Sequence, residues 1–381
     1  MRKHWIDNLR WVTVLLVLFY HVIYFYNNKG VVGGIGGFSE GPQYQDAAMY
    51  ILYPWFMPLL FILAGISARY ALDKKPAGEW FKTRTRKLLV PSTIGLLFIG
   101  AAVGWFNSRM PSVIPEGVSA MPEGASAMPE LPGVVKYFIW TISGTGPLWF
   151  IQDLWLLSVI ILLARRLDSK NKFYNTCGKI GAIPMILLGV LFYLGHQTLI
   201  MDPNPLSAEG LINLYKPQFY LIPLLMGYFL FAHDKVQETL GRIWIPLMAC
   251  AASAGIVLTA TTFGQDCTGP QYLSSPLNNI YGWLMCLAMM GWFKSCFNRT
   301  GSFSTYMTGS SYGIYILHYL VIASVGSYLK VQTQLPPFWI YTILTVAVFS
   351  LSPLLTAIIS RIPFLRWCIL GMAPTSQTRQ Y

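Results

Sequence analysis

Apolar runs long enough to cross a bilayer recur along almost the whole chain, separated by short polar joints. They fall near 10–28, 47–70, 88–108, 147–165, 180–200, 217–232, 243–263, 277–295, 309–329 and 338–360. In hydrocarbon no backbone N–H or C=O can turn to water, so a run of this kind must close its hydrogen bonds within itself as an α-helix. The sixth run is the shortest and carries Pro217 and Pro223, which a membrane helix tolerates where neighbours satisfy the freed carbonyls. The joints are too short for a separate soluble domain. The pattern therefore predicts an all-α fold: one polytopic membrane helical bundle over residues 1–381 with about ten transmembrane helices.

Composition strengthens this picture. Of the 381 residues 54% are hydrophobic and 11% charged, and the mean hydropathy is +0.49, above what a water-facing surface sustains. The first run, Trp11 to Tyr26, begins after basic residues as a signal peptide does, but no small-residue cleavage site follows and His21 interrupts it. It reads as a retained helix.

The net charge of +12 resembles a nucleic-acid footprint until the charges are placed on the chain. With the N-terminus in the cytoplasm, 22 lysines and arginines fall on the cytoplasmic side and only Lys29, Arg109, Lys136, Lys216 and Lys330 on the other. Basic residues resist translocation, so the asymmetry supports ten spans with both termini inside, in the plasma or inner membrane. The basicity is topological and calls for no nucleic-acid partner; the bilayer is the expected surrounding.

The longest outer joint, near 109–146, contains a tandem duplication, GVSAMPE over 117–123 and GASAMPE over 124–130. Two copies cannot stack as a solenoid, and their Gly, Ser and Pro content favours irregular backbone. The glycine-rich segment VVGGIGGF over 31–38 follows no strand, which argues against a phosphate loop. A short cytoplasmic tail follows near 361–381. The six cysteines show neither metal-ligand nor disulfide spacing, and no metal is expected.

Ionisable groups inside a bilayer are costly and mark candidate function. Arg10 and His21 are eleven residues apart, about three helical turns plus roughly 20°, so they share a helix face, with His21 about 16 Å deeper. Asp7 stands three residues before Arg10, within ion-pair reach. The structural alternative is that His21 only hydrogen-bonds a neighbouring helix and Arg10 only reaches for the interface. His318 sits about 15 Å beyond the cytoplasmic start of the ninth run, near the depth of His21. Asp153 lies six residues inside Pro147 in the fourth run, with Gln152 beside it and Trp149 one turn earlier. Here interhelical hydrogen bonding, packing or a buried ion pair is the alternative. Histidine suits a central role because it can take and return a proton near neutral pH, as a base or as an acyl carrier. His4, His196 and His233 fall at ends of runs and need no special role.

These residues stand in recognisable blocks. The opening IDNLRWVTVLLVLFYH (6–21) resembles the first helix of the acyltransferase 3 family of membrane acyltransferases, with its Arg, ten intervening residues and His. Four further blocks follow in family order: PWFMPLLFILAGISARY (54–70), RTRKLLVP (84–91), GPLWFIQDLWLLS (146–158) and SSYGIYILHYLVI (310–322). The resemblance covers nearly the whole chain. It implies a cytoplasmic acyl-CoA donor, acetyl-CoA first among the choices and succinyl-CoA an alternative, used as substrate with no cofactor held permanently. It also implies a glycan or glycoside hydroxyl as acceptor on the outer side.

Within it, Arg10 and His21 match the family's essential pair, His21 as base or acyl carrier with Arg10 its electrostatic partner, and Arg84 and Arg86 match its Arg-x-Arg pair. Read from the residues, Arg84 and Arg86 stand at the cytoplasmic entry to the third run. There planar guanidinium groups could grip coenzyme A phosphates, or serve only as positive-inside anchors. Asp153 and His318 are added as catalytic candidates, and Trp149 and Gln152 as acceptor-binding ones. A secondary transporter or flippase would show matching broken-helix repeats, which are not visible, and a non-catalytic polysaccharide-export partner would be favoured by loss of the Arg10 and His21 pair, which is present.

Overall fold

In the computed structural model, which describes residues 3–26, 43–109, 131–198 and 216–373, all regular structure is helical. The first half comprises α1 (His4–Tyr24), α2 (Ala47–Leu52), α3 (Phe56–Leu72), α4 (Ala77–Arg84), a π-helical turn over Thr85–Leu89, α5 (Val90–Thr93), α6 (Leu96–Asn107), α7 (Gly133–Ser143) and α8 (Trp149–Leu167). After it come α9 (Lys172–Cys177), α10 (Ala182–Leu187), α11 (Gly189–Thr198), α12 (Pro217–Phe229), α13 (Asp234–Thr262), α14 (Pro270–Ser274), α15 (Pro276–Cys296), α16 (Ser302–Gln332), α17 (Pro337–Arg361) and α18 (Pro363–Leu370). Proline opens five of the later helices (α12, α14, α15, α17 and α18), where its missing N–H would have had no intrahelical partner in any case.

Helices occupy all ten segments read as spans, and seven of them are long and apolar enough to cross a membrane. The other three are Ala182–Thr198, a shorter apolar helix broken at Leu188, α12 with 13 residues, and α15, long enough but less apolar. The joint near 109–146 holds a helix that the composition did not predict. VVKYFIWTI forms most of α7, which packs along α6 and keeps Val134, Phe138 and Ile142 exposed on one stripe. At 11 residues it is too short to span. The duplicated heptapeptide and the segment 31–38 lie outside the described residues.

The chain divides into two compact units. The first contains residues 1–17, 47–83 and 153–309. Here α3 and α12 cross at Gly65 and Gly227: a methyl group on Gly65 would lie 3.0 Å from the Cα of Gly227, and one on Gly227 would collide with the carbonyl of Ile62. Only a residue without Cβ lets the two backbones come this close, which is how lipid-embedded helices gain packing contact. Phe61 stacks on Tyr220 at 4.5 Å along the same seam.

One end of this unit is tied by a polar network. Lys3 Nζ donates to the Tyr70 hydroxyl and to Gln237 Oε1, each at 2.8 Å, and pairs with Asp234. Arg69, 5% exposed, reaches Asp73 and Asn171 at 3.1 Å each and lies 3.6 Å over the ring of Tyr174, which also stacks on His233 at 3.9 Å. Arg165 shares Asp73 at 3.1 Å. A buried guanidinium is tolerable only with such partners.

The second unit contains residues 18–46, 84–152 and 310–381. Pro91 has no N–H to offer the Lys87 carbonyl four residues earlier, and that carbonyl accepts the Tyr312 hydroxyl. The π turn stands at this place, where the regular ladder is interrupted. At the other end Tyr341 Oη and Gln43 Nε2 both donate to the carbonyl of Tyr26, each at 3.0 Å, and close off the end of α1.

Candidate active site

The second unit brings two of the five histidines together. His21 lies in the last turn of α1 and His318 midway along α16, and His318 Nε2 is 3.0 Å from His21 Nδ1. Both are buried, at 9% and 0% exposure. The other nitrogen of His318, Nδ1, is 2.6 Å from the carbonyl oxygen of Tyr315, one turn earlier on α16.

These two contacts determine where the protons sit. A carbonyl oxygen only accepts, so Nδ1 of His318 carries hydrogen and, in the neutral ring, Nε2 is the acceptor. The hydrogen between the rings then belongs to His21 Nδ1. In neutral His21 the lone pair is therefore on Nε2, the nitrogen directed away from His318. A hydrogen bond at one ring nitrogen setting the chemistry of the other is a general property of imidazole.

Aromatic rings wall the pair. Tyr319 stands edge-on to His21 at 4.9 Å and to His318 at 5.2 Å, Tyr20 flanks His21 at 5.3 Å, and Phe25 backs Tyr319 at 5.5 Å. The Gly146–Leu148 turn ahead of α8 fits against α16: Tyr315 Oη donates to the Pro147 carbonyl, and Phe150 meets the Tyr315 ring at 5.7 Å. Gly146 has φ +44°, and a Cβ there would lie 2.6 Å from the Tyr319 ring. Conformation and space both require glycine at this position.

The remaining candidates are placed as follows. Gln152 Nε2 donates to the Ser92 carbonyl at 3.1 Å, joining α8 to α5. Trp149 is half-buried beside Phe150, at 6.2 Å. Arg84 and Arg86 flank Thr85 at the π turn, both half-buried. In the first unit, Arg10 bonds Asp7 at 3.1 Å, the pairing its spacing predicts, and reaches Ser67 Oγ on α3 at 2.6 Å. Also in that unit, Asp153 is fully buried in α8, and neither carboxyl oxygen has a hydrogen-bond partner among the described residues. Helix α1 runs unbroken from His4 to Tyr24, so the helical spacing of Arg10 and His21 holds.

Sequence reading passed over Tyr315, Tyr319 and Ser67. Tyr315 and Tyr319 flank His318 in GIYILHYL, and their signal was an aromatic residue one turn before and one residue after a mid-run histidine. Two further histidines are engaged otherwise: His196 Nδ1 with Asn279 Oδ1, and His233 Nε2 donating to the Tyr174 carbonyl at 2.9 Å.

No curated protein and no solved structure matches the chain. A family model described as an acyltransferase domain matches residues 3–357. That span takes in the histidine pair, Arg10, the Arg84–Arg86 turn and nearly every helix. The chain belongs to the acyltransferase 3 family, and is a multi-pass membrane acyltransferase.

Proposed function

We propose that the protein transfers an acyl group, acetyl first among the choices, from cytoplasmic acyl-CoA to a hydroxyl of a glycan or glycoside on the outer side of the membrane. The observation that carries this reading is the chain from the Tyr315 carbonyl through His318 to His21, which leaves Nε2 of His21 as the proton-accepting nitrogen. As the acceptor oxygen attacks the thioester carbonyl, its proton passes to His21 Nε2. The carbon–sulfur bond then breaks, and the same proton neutralises the departing thiolate, so that an ester and free CoA are formed. While His21 is charged, its Nδ1–H bond to His318 Nε2 is charge-assisted and stabilises the cation. Nε2 is also the nitrogen that would carry the acyl group if transfer ran in two steps.

Arg84 and Arg86 hold the donor phosphates in this reading, at the end of the chain's third apolar segment that the basic residues assign to the cytoplasm. Asp153, Trp149 and Gln152 are acceptor-side candidates, and Asp153 supports this by being a buried carboxyl without a hydrogen-bond donor among the described residues. Arg10, tied to Asp7 and Ser67, is the cationic residue of the first helix.

The test is acyl transfer by protein in lipid nanodiscs supplied with acetyl-CoA and a panel of glycosides. His21→Ala should abolish CoA release that depends on acceptor while insertion and thermal stability persist. An active His21→Ala enzyme would refute the assignment.

A further inference from the structure

From the fold of the C-terminal helix we infer that Arg366 is a third phosphate-binding side chain of the donor site, outside the residues 3–357 that the family model matches. The inference rests on the reading of Arg84 and Arg86 as donor ligands.

Helix α18 turns back after α17 and sets its C-terminal end on the π turn. Gly371, with φ +61°, ends it in a left-handed cap, and a Cβ on Gly371 would lie 2.6 Å from the Arg86 carbonyl oxygen and 2.8 Å from the Lys87 Cα. Along the same contact the Cys368 carbonyl stands 2.7 Å from where a Cβ on Gly95 would be. Arg366 is anchored in this cap, since its carbonyl accepts the N–H of Met372 at 3.2 Å. It stands five residues, little more than one helical turn, before Gly371, the residue that meets the backbone of Arg86.

Two observations point to an anion at this place. Nε of Arg86 and Nε of Arg366 are both buried, and neither has a hydrogen-bond acceptor among the described residues. A buried charged donor left without an acceptor is costly, so each calls for one from elsewhere. Among its described residues the unit has no carboxylate nearby to give. Its only described carboxylate is Asp46, close to Gln43 and Tyr341 at the start of α17, whereas Arg361 ends that helix about 30 Å away. Arg84, Arg86, Lys87, Arg361 and Arg366 thus gather at an end of this unit far from its described carboxylate. Coenzyme A carries a diphosphate and a separate ribose phosphate, more charge than one arginine pair can clamp, and a third guanidinium on an adjoining helix answers it.

The experiment is binding of CoA and of dephospho-CoA to the full-length protein in zwitterionic nanodiscs, for wild type, Arg84→Gln, Arg86→Gln, Arg366→Gln, Arg366→Lys and the exposed neighbour Arg361→Gln. Arg366→Gln should weaken CoA binding about tenfold or more with thermal stability unchanged. Arg366→Lys should lose less and Arg361→Gln nothing. CoA affinity retained in Arg366→Gln but lost in Arg84→Gln and Arg86→Gln would overturn the inference and leave the donor reading standing. No CoA binding by wild type would overturn the donor reading itself. Loss of co-purifying anionic phospholipid from Arg366→Gln, with CoA affinity intact, would assign the arginine to lipid headgroups and likewise overturn the inference.

Discussion

His318 Nε2 accepts a hydrogen bond from Nδ1 of His21 across 3.0 Å, and His318 is itself held by the Tyr315 carbonyl at 2.6 Å. The second imidazole is thus an acceptor of fixed orientation, which a lone mid-membrane histidine would lack. In the proposed reaction it places the His21 lone pair on Nε2.

Replacing His318 separates that role from packing. A glutamine side chain in its place could still present an amide oxygen to His21 Nδ1, whereas leucine cannot. His318→Leu should lower kcat by at least about a hundredfold, the scale of a lost acid–base contribution, with KM for acetyl-CoA little changed. His318→Gln should recover a substantial part. Equal activity of the two variants, measured as acceptor-dependent CoA release, would remove His318 from the mechanism.

Asp153 is buried without a hydrogen-bond partner among the described residues. Such a group opposes folding by about 1–3 kcal/mol, so Asp153→Leu should raise thermal stability. If the carboxyl serves the acceptor, the same variant loses transfer. A stabilised and fully active variant would show that the residue has no part in the reaction.

The crossing of α3 and α12 depends on Gly65 and Gly227. Gly227→Val should force the backbones apart and cost about 1–3 kcal/mol or more, the usual penalty of overpacking. Thermal unfolding in detergent would register this as a lowered midpoint, and an unchanged midpoint would mean that the seam relaxes freely.

His233 lies outside the spans, and burial together with the neighbouring Arg69 holds its pKa below the ordinary histidine range, against the opposing pull of its bond to the Tyr174 carbonyl. A lowered pKa means that the folded protein binds fewer protons than the unfolded chain between the two values. Stability is therefore full above about pH 6.5 and falls as acid takes the unfolded histidine through its own pKa. Comparing melting midpoints at about pH 7.5 and about pH 5.5, on either side of that value, should show a smaller acid loss for His233→Gln than for wild type. An identical loss would place the acid sensitivity elsewhere.

Much of the bundle was legible in the chain because its causes are local. A run of about 20 apolar residues must be a helix in lipid whatever surrounds it. The Asp7 and Arg10 pair, and the shared face of Arg10 and His21, follow from positions on one uninterrupted helix. The helix α7 was missed because Gly, Ser and Pro dominate the joint ahead of it, while its own apolar stretch is shorter than a span. The limit of such reading lies where two segments far apart in the chain must meet. Depth alone placed His318 level with His21, but 297 residues separate them, and only the packing of α16 against the end of α1 decides which ring nitrogens face each other. The same holds for Arg366: as a tail residue it reads as one more cytoplasmic charge, until the fold-back of α18 sets the end of its helix on the backbone of Arg86. Hydrophobicity and helical period act through a residue's own neighbours in sequence, whereas proton position and charge convergence depend on contacts across the fold.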